Sequence, residues 1–484
     1  MCDRERGWSE VPLVKTWQLI AGSAVAGLAL SVAVVTAAGP WDSGQRKAER
    51  DKAASWSVTG GADHGPESQP QAAPSAPGVL GAIGPGAPRK EAAAASEGLA
   101  AALRPLLADP ALGTVRTASV IDTATGQVLY ESGARDAMTP ASTIKIATAA
   151  AALAALGPEH RIRTTVVPGA APGQILLVGG GDPSLTAKKK SPAGSGGSLV
   201  ALAGDTAQAL KAAGTDTVSV GYDDTLYTGP ARHPIGENPN IAPVTALAAD
   251  EGRPDDSTSG PVDRTADPAK DAARSFAALL TERGIKVTGQ PARAEAADGA
   301  QPLAATLSTP LGGLVERMLT NSDNDIAEAL ARQTALASGQ PASFEGAEKA
   351  VTARLAALGV DVSGSRFADG SGLGRSDKVS AGLLTGLLAK AADPERPELR
   401  PVLTGLPVAG FTGTLRSRNA GSSPAAGLLR AKTGTLTGVN SLAGTVVDPS
   451  GRLLAFAFLT ANSADGPAAE KSLDKLAAAV AGTP

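Results

Sequence analysis

The sequence predicts a mixed α/β (α+β) fold, in which one domain has a sheet joining both chain ends and carries a smaller inserted subdomain. Three observations predict it. Strand patterns stand near the start of the folded region and return at its end. Long helical patterns lie between them. Residues 161–305 instead mix short strands with one convincing helix, which sets them apart as an insertion. A sheet must bury a face against another layer, so terminal strands with helices between them are expected to form one sheet covered by those helices.

Residues 1–16 read as a short cytoplasmic tail. Residues 17–38, WQLIAGSAVAGLALSVAVVTAA, are uncharged and mostly apolar. As a helix they would span about 33 Å, against a bilayer core of about 30 Å. Trp17 and Trp41 flank the run, where aromatic belts sit. The run reads as a transmembrane anchor or, with small Thr36, Ala37 and Ala38 at its end, a signal segment. Residues 39–96 are rich in Pro, Ala and Gly, cannot bury a core, and read as a disordered tether.

The main domain takes residues 97–160 and 306–484, and the inserted subdomain 161–305. The helical stretch EGLAAALRPLLADPAL comes first, then a hairpin, TASVID and QVLYE around the turn TATG. After Thr139-Pro140 an Ala-rich helix is expected from Ser142 to about residue 156. The insertion offers the strands QILLVG, TVSVGYD and GIKVTG, a helix over 268–283, and two unpatterned loops near 188–198 and 251–267. Helical patterns run from Thr309 to about residue 392. The strands GLLRAKTGT, SLAGTVVD and LLAFAFLTA follow, and a helix over 466–481 closes the chain.

Composition narrows the function. The chain of 484 residues has 44 Lys+Arg against 47 Asp+Glu, without the basic excess that a nucleic-acid partner requires. Its single cysteine, Cys2, excludes a disulfide framework and a Cys-based zinc site. Of three histidines, His64 falls in the tether, leaving His160 and His233. That argues against a His-rich metal centre and leaves little for a Ser-His-Asp triad.

Other ways to activate a nucleophile therefore come forward. In a Ser-x-x-Lys pair on a helix, positions i and i+3 share a face, so an amine can reach a hydroxyl. Two such pairs occur, Ser142/Lys145 and Ser472/Lys475. Ser142 follows a Thr-Pro break, which places it at a helix N-terminus where free N–H groups favour developing negative charge. Ser472 reads as an exposed position on the last helix. Ser322-Asp323-Asn324 lies between two helical runs, with Ser417-Arg-Asn419 as a decoy of the same spacing. Lys432-Thr433-Gly434 is the sole Lys-Thr-Gly in the chain.

The order Ser142-x-x-Lys145, Ser322-x-Asn324, Lys432-Thr433-Gly434 resembles that of penicillin-binding proteins and serine β-lactamases. Local matches at GGGDPSL (179–185), SDNDIAE (322–328), DGSGL (369–373), PVAG (407–410) and KTGTL (432–436) narrow the resemblance. It is closest to class C low-molecular-mass penicillin-binding proteins of the D-alanyl-D-alanine carboxypeptidase/endopeptidase type, and covers most of the folded part.

The resemblance implies a penicillin-binding-protein/serine β-lactamase-like transpeptidase fold. It implies peptidoglycan stem peptides as substrate and β-lactams as covalent inhibitors. Ser142 would form the acyl-enzyme. Lys145 would be the base, its pKa depressed by burial and by the nearby Lys432. Ser322 would relay a proton to the leaving amine, and Asn324 would hold the substrate amide. Thr433, Gly434 and Thr435 would bind substrate, the Thr433 and Thr435 hydroxyls holding its terminal carboxylate, with Lys432 supplying positive field. The Ser142 and Thr435 backbone N–H groups would form the oxyanion hole. No metal or organic cofactor is required. Asp369 reads as a structural turn residue near the site. The catalytic domain is expected outside the cytoplasmic membrane, anchored through residues 17–38 or secreted after cleavage. The competing readings are a β-lactamase and a non-catalytic β-lactam-sensing or wall-binding domain.

Overall fold

The computed structural model describes residues 89–190 and 196–482. The expected cytoplasmic tail, the apolar run 17–38 and the tether up to residue 88 lie outside the described residues. No helix among the described residues is long and apolar enough to cross a membrane. Residues Gly86–Pro484 form one compact unit. Its first helix, α1 (Arg89–Leu107), starts eight residues ahead of the expected boundary at 97. Leu99 and Leu103 on this helix are buried core residues.

The main sheet is built from β1 (Val115–Asp122), β2 (Val128–Ser132), β8 (Arg430–Leu436), β9 (Val439–Val447) and β10 (Leu453–Ala461). Its order is β2-β1-β10-β9-β8. All neighbouring pairs are antiparallel, and β1 pairs with β10 in register from Val115↔Ala461 to Asp122↔Leu454. The chain ends therefore share one sheet, as expected. Strand β10 shows why both faces are covered. Leu454, Phe456 and Phe458 face a core with α1 and the closing helix, while Ala455, Ala457 and Leu459 face the other helices. The alanines leave room for a helix to lie close against that face.

That second layer holds α2 (Lys145–Leu156), and beyond the insertion α5 (Leu311–Asn321), α6 (Asn324–Ala337), α7 (Phe344–Ala357), α8 (Ala381–Ala392) and the short α9 (Arg400–Thr404). The closing helix is α10 (Gly466–Gly482). Helix α2, KIATAAAALAAL, is buried along nearly its whole length, and its small side chains let α6 and α7 approach.

The insertion forms its own sheet from β3 (Arg163–Pro168), β4 (Gln174–Val178), β5 (Thr217–Asp223), β6 (Lys286–Arg293) and β7 (Ala304–Leu307). The order is β6-β5-β4-β3-β7. Pairs β4–β5 and β5–β6 are parallel, connected through α3 (Leu199–Ala212) and α4 (Pro268–Glu282). The sheet thus spans 163–307, against 161–305 expected. Helix α4 is the one anticipated, with Asp267 accepting from Lys270 N and Pro268 in its first turn. Helix α3 was not anticipated. Its signal was Ser198, which caps it by accepting from Ala201 N.

Candidate active site

The site sits between the edge strand β8 and the helices above it. The α-helix starts at Lys145, and Ser142 stands just before it in a 3₁₀ turn, Ala141–Ile144. This corrects the expected helix start at Ser142. The turn is entered through Ala141 at φ 49°, a left-handed conformation unfavourable for a residue with a Cβ. Hydrogen bonds hold it there. Thr143 Oγ1 donates to Pro140 O at 2.7 Å, and Ser441 Oγ on β9 donates to the same carbonyl at 2.6 Å. The Ser142 N–H belongs to the first N–H groups of the turn, which lack an intrahelical acceptor.

Lys145 Nζ lies 2.9 Å from Ser142 Oγ, so the i, i+3 pair forms as expected. The amine also donates to Asn324 Oδ1 at 2.7 Å and to Ser371 O at 2.5 Å. Burial pulls its pKa down to about 8, while Asp369, Asp323, Glu328 and Asp377 push it back up. Desolvation thus outweighs four carboxylates. The depression expected from Lys432 falls chiefly on Lys432 itself. That lysine is held well below the ordinary lysine value by burial first, then by Lys145 and Arg418. Its Nζ donates to Thr433 O at 2.8 Å.

The Ser-Asp-Asn motif is a helix-to-helix junction. Ser322 ends α5 in the left-handed region at φ 59°. Asp323 caps α6 by accepting from Ile326 N. Asn324 is the first residue of α6 and donates through Nδ2 to Asn240 O of the inserted subdomain at 2.9 Å. Its amide is thereby fixed at both ends. Among the described residues, no hydrogen bond joins Ser322 Oγ to Ser142, Lys145 or Lys432, so the expected relay is not already connected.

On β8, Gly434 is needed for close approach. A Cβ there would lie 2.6 Å from Pro140 O and 3.1 Å from Ser142 N. It is buried against the turn that carries Ser142. Thr433 Oγ1 donates to Thr414 Oγ1 at 3.0 Å. Thr435 is exposed at the cleft, and its hydroxyl donates to Glu470 Oε1 at 2.9 Å. An incoming carboxylate would have to displace Glu470 from Thr435. The cleft encloses about 440 Å³, lined by Ser142, Ser322, Asn324, Leu373 and Thr435 with Asn238, Asn240 and Arg264 of the insertion.

The decoys separate cleanly. Ser472 is buried, not exposed as expected, and its hydroxyl donates to Asp109 Oδ2 at 2.6 Å. Asn419 Nδ2 donates to Asp474, which is also bound by Arg418.

Two carboxylate clusters fell outside the sequence reading. Glu251, Asp323 and Asp325 gather beneath the junction. Burial with Asp323 and Asp325 pushes Glu251 up to about 8 against the pull of Arg317. Burial and Asp323 push Asp325 up to about 6, with Arg264 pulling back. Arg253, Arg317 and Arg264 pair with these groups, so the cluster is an ion network between insertion and main domain. The second cluster joins His233, Glu328 and Asp369. A partial signal for Glu328 existed: Asn324, Glu328 and Arg332 recur every four residues along one face of an Ala/Leu-rich helix.

A serine hydroxyl against a buried amine, beside an edge strand with free N–H groups, can carry an acyl group. The fold itself is a known one. The penicillin-binding protein 4 structure from Haemophilus influenzae matches at TM-score 0.63 and 22% identity, covering 78% of this chain and 98% of that one. A second structure of that protein, complexed with a β-lactam, matches at TM-score 0.59 and 22% identity, covering 74% and 95%. The D-Ala-D-Ala carboxypeptidase 3 (S13) family matches residues 99–259 and 252–480, and the chain belongs to it. Carboxypeptidase DacB of Mycolicibacterium smegmatis is 40% identical over 392 residues, covering 79% of this chain and 83% of the relative. The D-alanyl-D-alanine carboxypeptidase of an Actinomadura species is 31% identical, covering 78% and 83%. The protein is a serine-type D-Ala-D-Ala carboxypeptidase.

Proposed function

We propose that this carboxypeptidase cleaves the D-alanyl-D-alanine ends of peptidoglycan stem peptides through an acyl-enzyme on Ser142. The observation that carries the assignment is the contact of Lys145 Nζ with Ser142 Oγ at 2.9 Å, by an amine pulled down to about 8. Lys145 takes the hydroxyl proton as Ser142 attacks the scissile carbonyl. The oxyanion sits between the Ser142 and Thr435 N–H groups. The bond to the terminal D-Ala nitrogen breaks, and that nitrogen receives the proton taken from Ser142, passed on from Lys145 through Ser322 with Lys432 behind it, so Lys145 is neutral again. Water then releases the acyl group. A β-lactam acylates the same serine but leaves slowly, because its leaving amine stays attached to the acyl group.

Cross-link cleavage would use the same steps. The substrate class favours a position outside the cytoplasmic membrane, and the apolar run at 17–38 supports an N-terminal anchor there. The test incubates the full chain with a fluorescent penicillin and, separately, a D-Ala-D-Ala peptide. A lasting label on Ser142 with D-Ala release supports the reading. Rapid penicillin turnover, or label without peptide cleavage, refutes it.

A further inference from the structure

Outside the reacting groups, the most unusual buried feature is His233, in the insertion segment between β5 and α4. It is fully buried, with the Phe344 ring edge-on at 5.3 Å and the Arg332 guanidinium 3.9 Å above that phenyl ring. Its Nε2 lies 3.3 Å from Asp369 Oδ2 and 3.6 Å from Glu328 Oε1. It points between the two and meets neither squarely, so Nε2 and Glu328 Oε2 lack a well-formed hydrogen bond. Burial pulls the imidazole down, but the Asp369 and Glu328 carboxylates outweigh it and push His233 up to about 9, so below that pH the ring is charged and its Nε2 hydrogen faces the carboxylates. A metal ion among the same atoms would need a bare Nε2, so the cluster reads as a charge-paired network.

The two carboxylates lead to the nucleophile. Glu328 Oε1 accepts from Gly370 N and Ser371 N, both at 3.0 Å. Asp369 Oδ1 accepts from Ser371 N and Gly372 N, and its Oδ2 accepts from Gly374 N. These bonds shape the 369–374 loop. The Ser371 carbonyl of that loop accepts from Lys145 Nζ at 2.5 Å and Ser142 Oγ at 3.4 Å. The loop is seated tightly, for a Cβ on Gly372 would lie 2.1 Å from Ala141 O.

We propose that His233, supplied by the inserted subdomain, is a positioning residue for the catalytic amine: by holding Glu328 and Asp369 it sets the Ser371 carbonyl against Lys145 and offsets the carboxylates' field there. This rests on the reading of Lys145 as base. Lys145 faces Asp369, Asp323, Glu328 and Asp377, with Lys432 on β8 close enough to interact. His233 faces Glu328 and Asp369, with Arg332 beyond Phe344. Without the imidazolium, the carboxylates act on Lys145 unopposed and the loop loosens. The amine then keeps its proton to higher pH.

The test follows the acylation rate of the full chain by a chromogenic β-lactam from pH 6 to 10. In His233→Phe the acid limb should move up by about one unit, a tenfold loss at pH 7, with pre-covalent affinity unchanged. His233→Gln, whose amide N–H can reach the carboxylates but carries no charge, should restore the limb in part. Glu328→Gln removes a negative charge and should move the limb down. A limb unmoved in folded His233→Phe, a loss confined to affinity, or no rescue by Gln overturns the proposal. If His233→Phe does not fold, Glu328→Gln decides, and a limb unmoved or moved up overturns it. Lys145→Met acylating at the wild-type rate would remove the base reading and this proposal with it. An unmoved limb in His233→Phe removes this proposal alone.

Discussion

Acylation should depend on pH through the Lys145 amine. Only the neutral amine can take the Ser142 proton. With the pKa at about 8, roughly 10% of the amine is neutral at pH 7, against roughly 0.03% for an ordinary lysine. Burial thus raises the reactive fraction about 300-fold. The sign follows directly: the acylation rate climbs tenfold per pH unit below about 8 and levels above it. Lys145→Arg keeps the charge, but a guanidinium does not deprotonate in proteins, so it should lose about 100- to 10,000-fold. Lys432→Arg should lose less. Stopped-flow acylation by one penicillin, on variants shown to be folded, measures both. A wild-type profile flat between pH 6 and 8, or a greater loss in Lys432→Arg, would refute Lys145 as the base.

Ser142→Ala should abolish both labelling and D-Ala release. Ser472→Ala should leave activity intact yet cost about 1–2 kcal/mol in denaturant unfolding, because it breaks the buried bond to Asp109. Gly434→Ala forces a Cβ against Pro140 O and Ser142 N, so β8 and the nucleophile turn must separate. Acylation should fall at least about tenfold, with about 1–3 kcal/mol lost in unfolding, and wild-type kinetics would refute the close-approach argument. Residues 86–484 expressed alone should keep the full acylation rate, whereas a start at 109 removes α1 with Leu99 and Leu103 and should abolish cooperative melting. The unfolded state holds a Lys145 proton up to about 10.5 and the folded state up to about 8, so stability rises with pH between them. Relative to Lys145→Met, the wild-type protein should therefore gain stability from pH 8 to 9.5 in urea titrations.

Local order was enough to read the plan of the molecule. Apolar strand runs at both ends, the Thr-Pro break before Ser142 and the three motifs in sequence each reflect interactions within a few residues of chain. They were enough to pair Ser142 with Lys145 and to place the edge strand. Helix α3 escaped because its signal, a single capping serine after an irregular loop, is weak without the packing that buries Leu202. What joins distant segments had no local trace. The Asn240 carbonyl on Asn324, the Ser371 carbonyl on Lys145 and His233 Nε2 between Glu328 and Asp369 all link residues far apart in the chain. Burial is likewise a property of the assembled layers. It turns Ser472 into a core hydrogen bond, makes Gly434 the seat of the Ser142 turn, and pulls the Lys145 amine down to about 8 against four nearby carboxylates. A pKa is set by every charge and dipole around a group and by the water excluded from it, and those surroundings exist only once the helices, sheet and insertion have closed on one another.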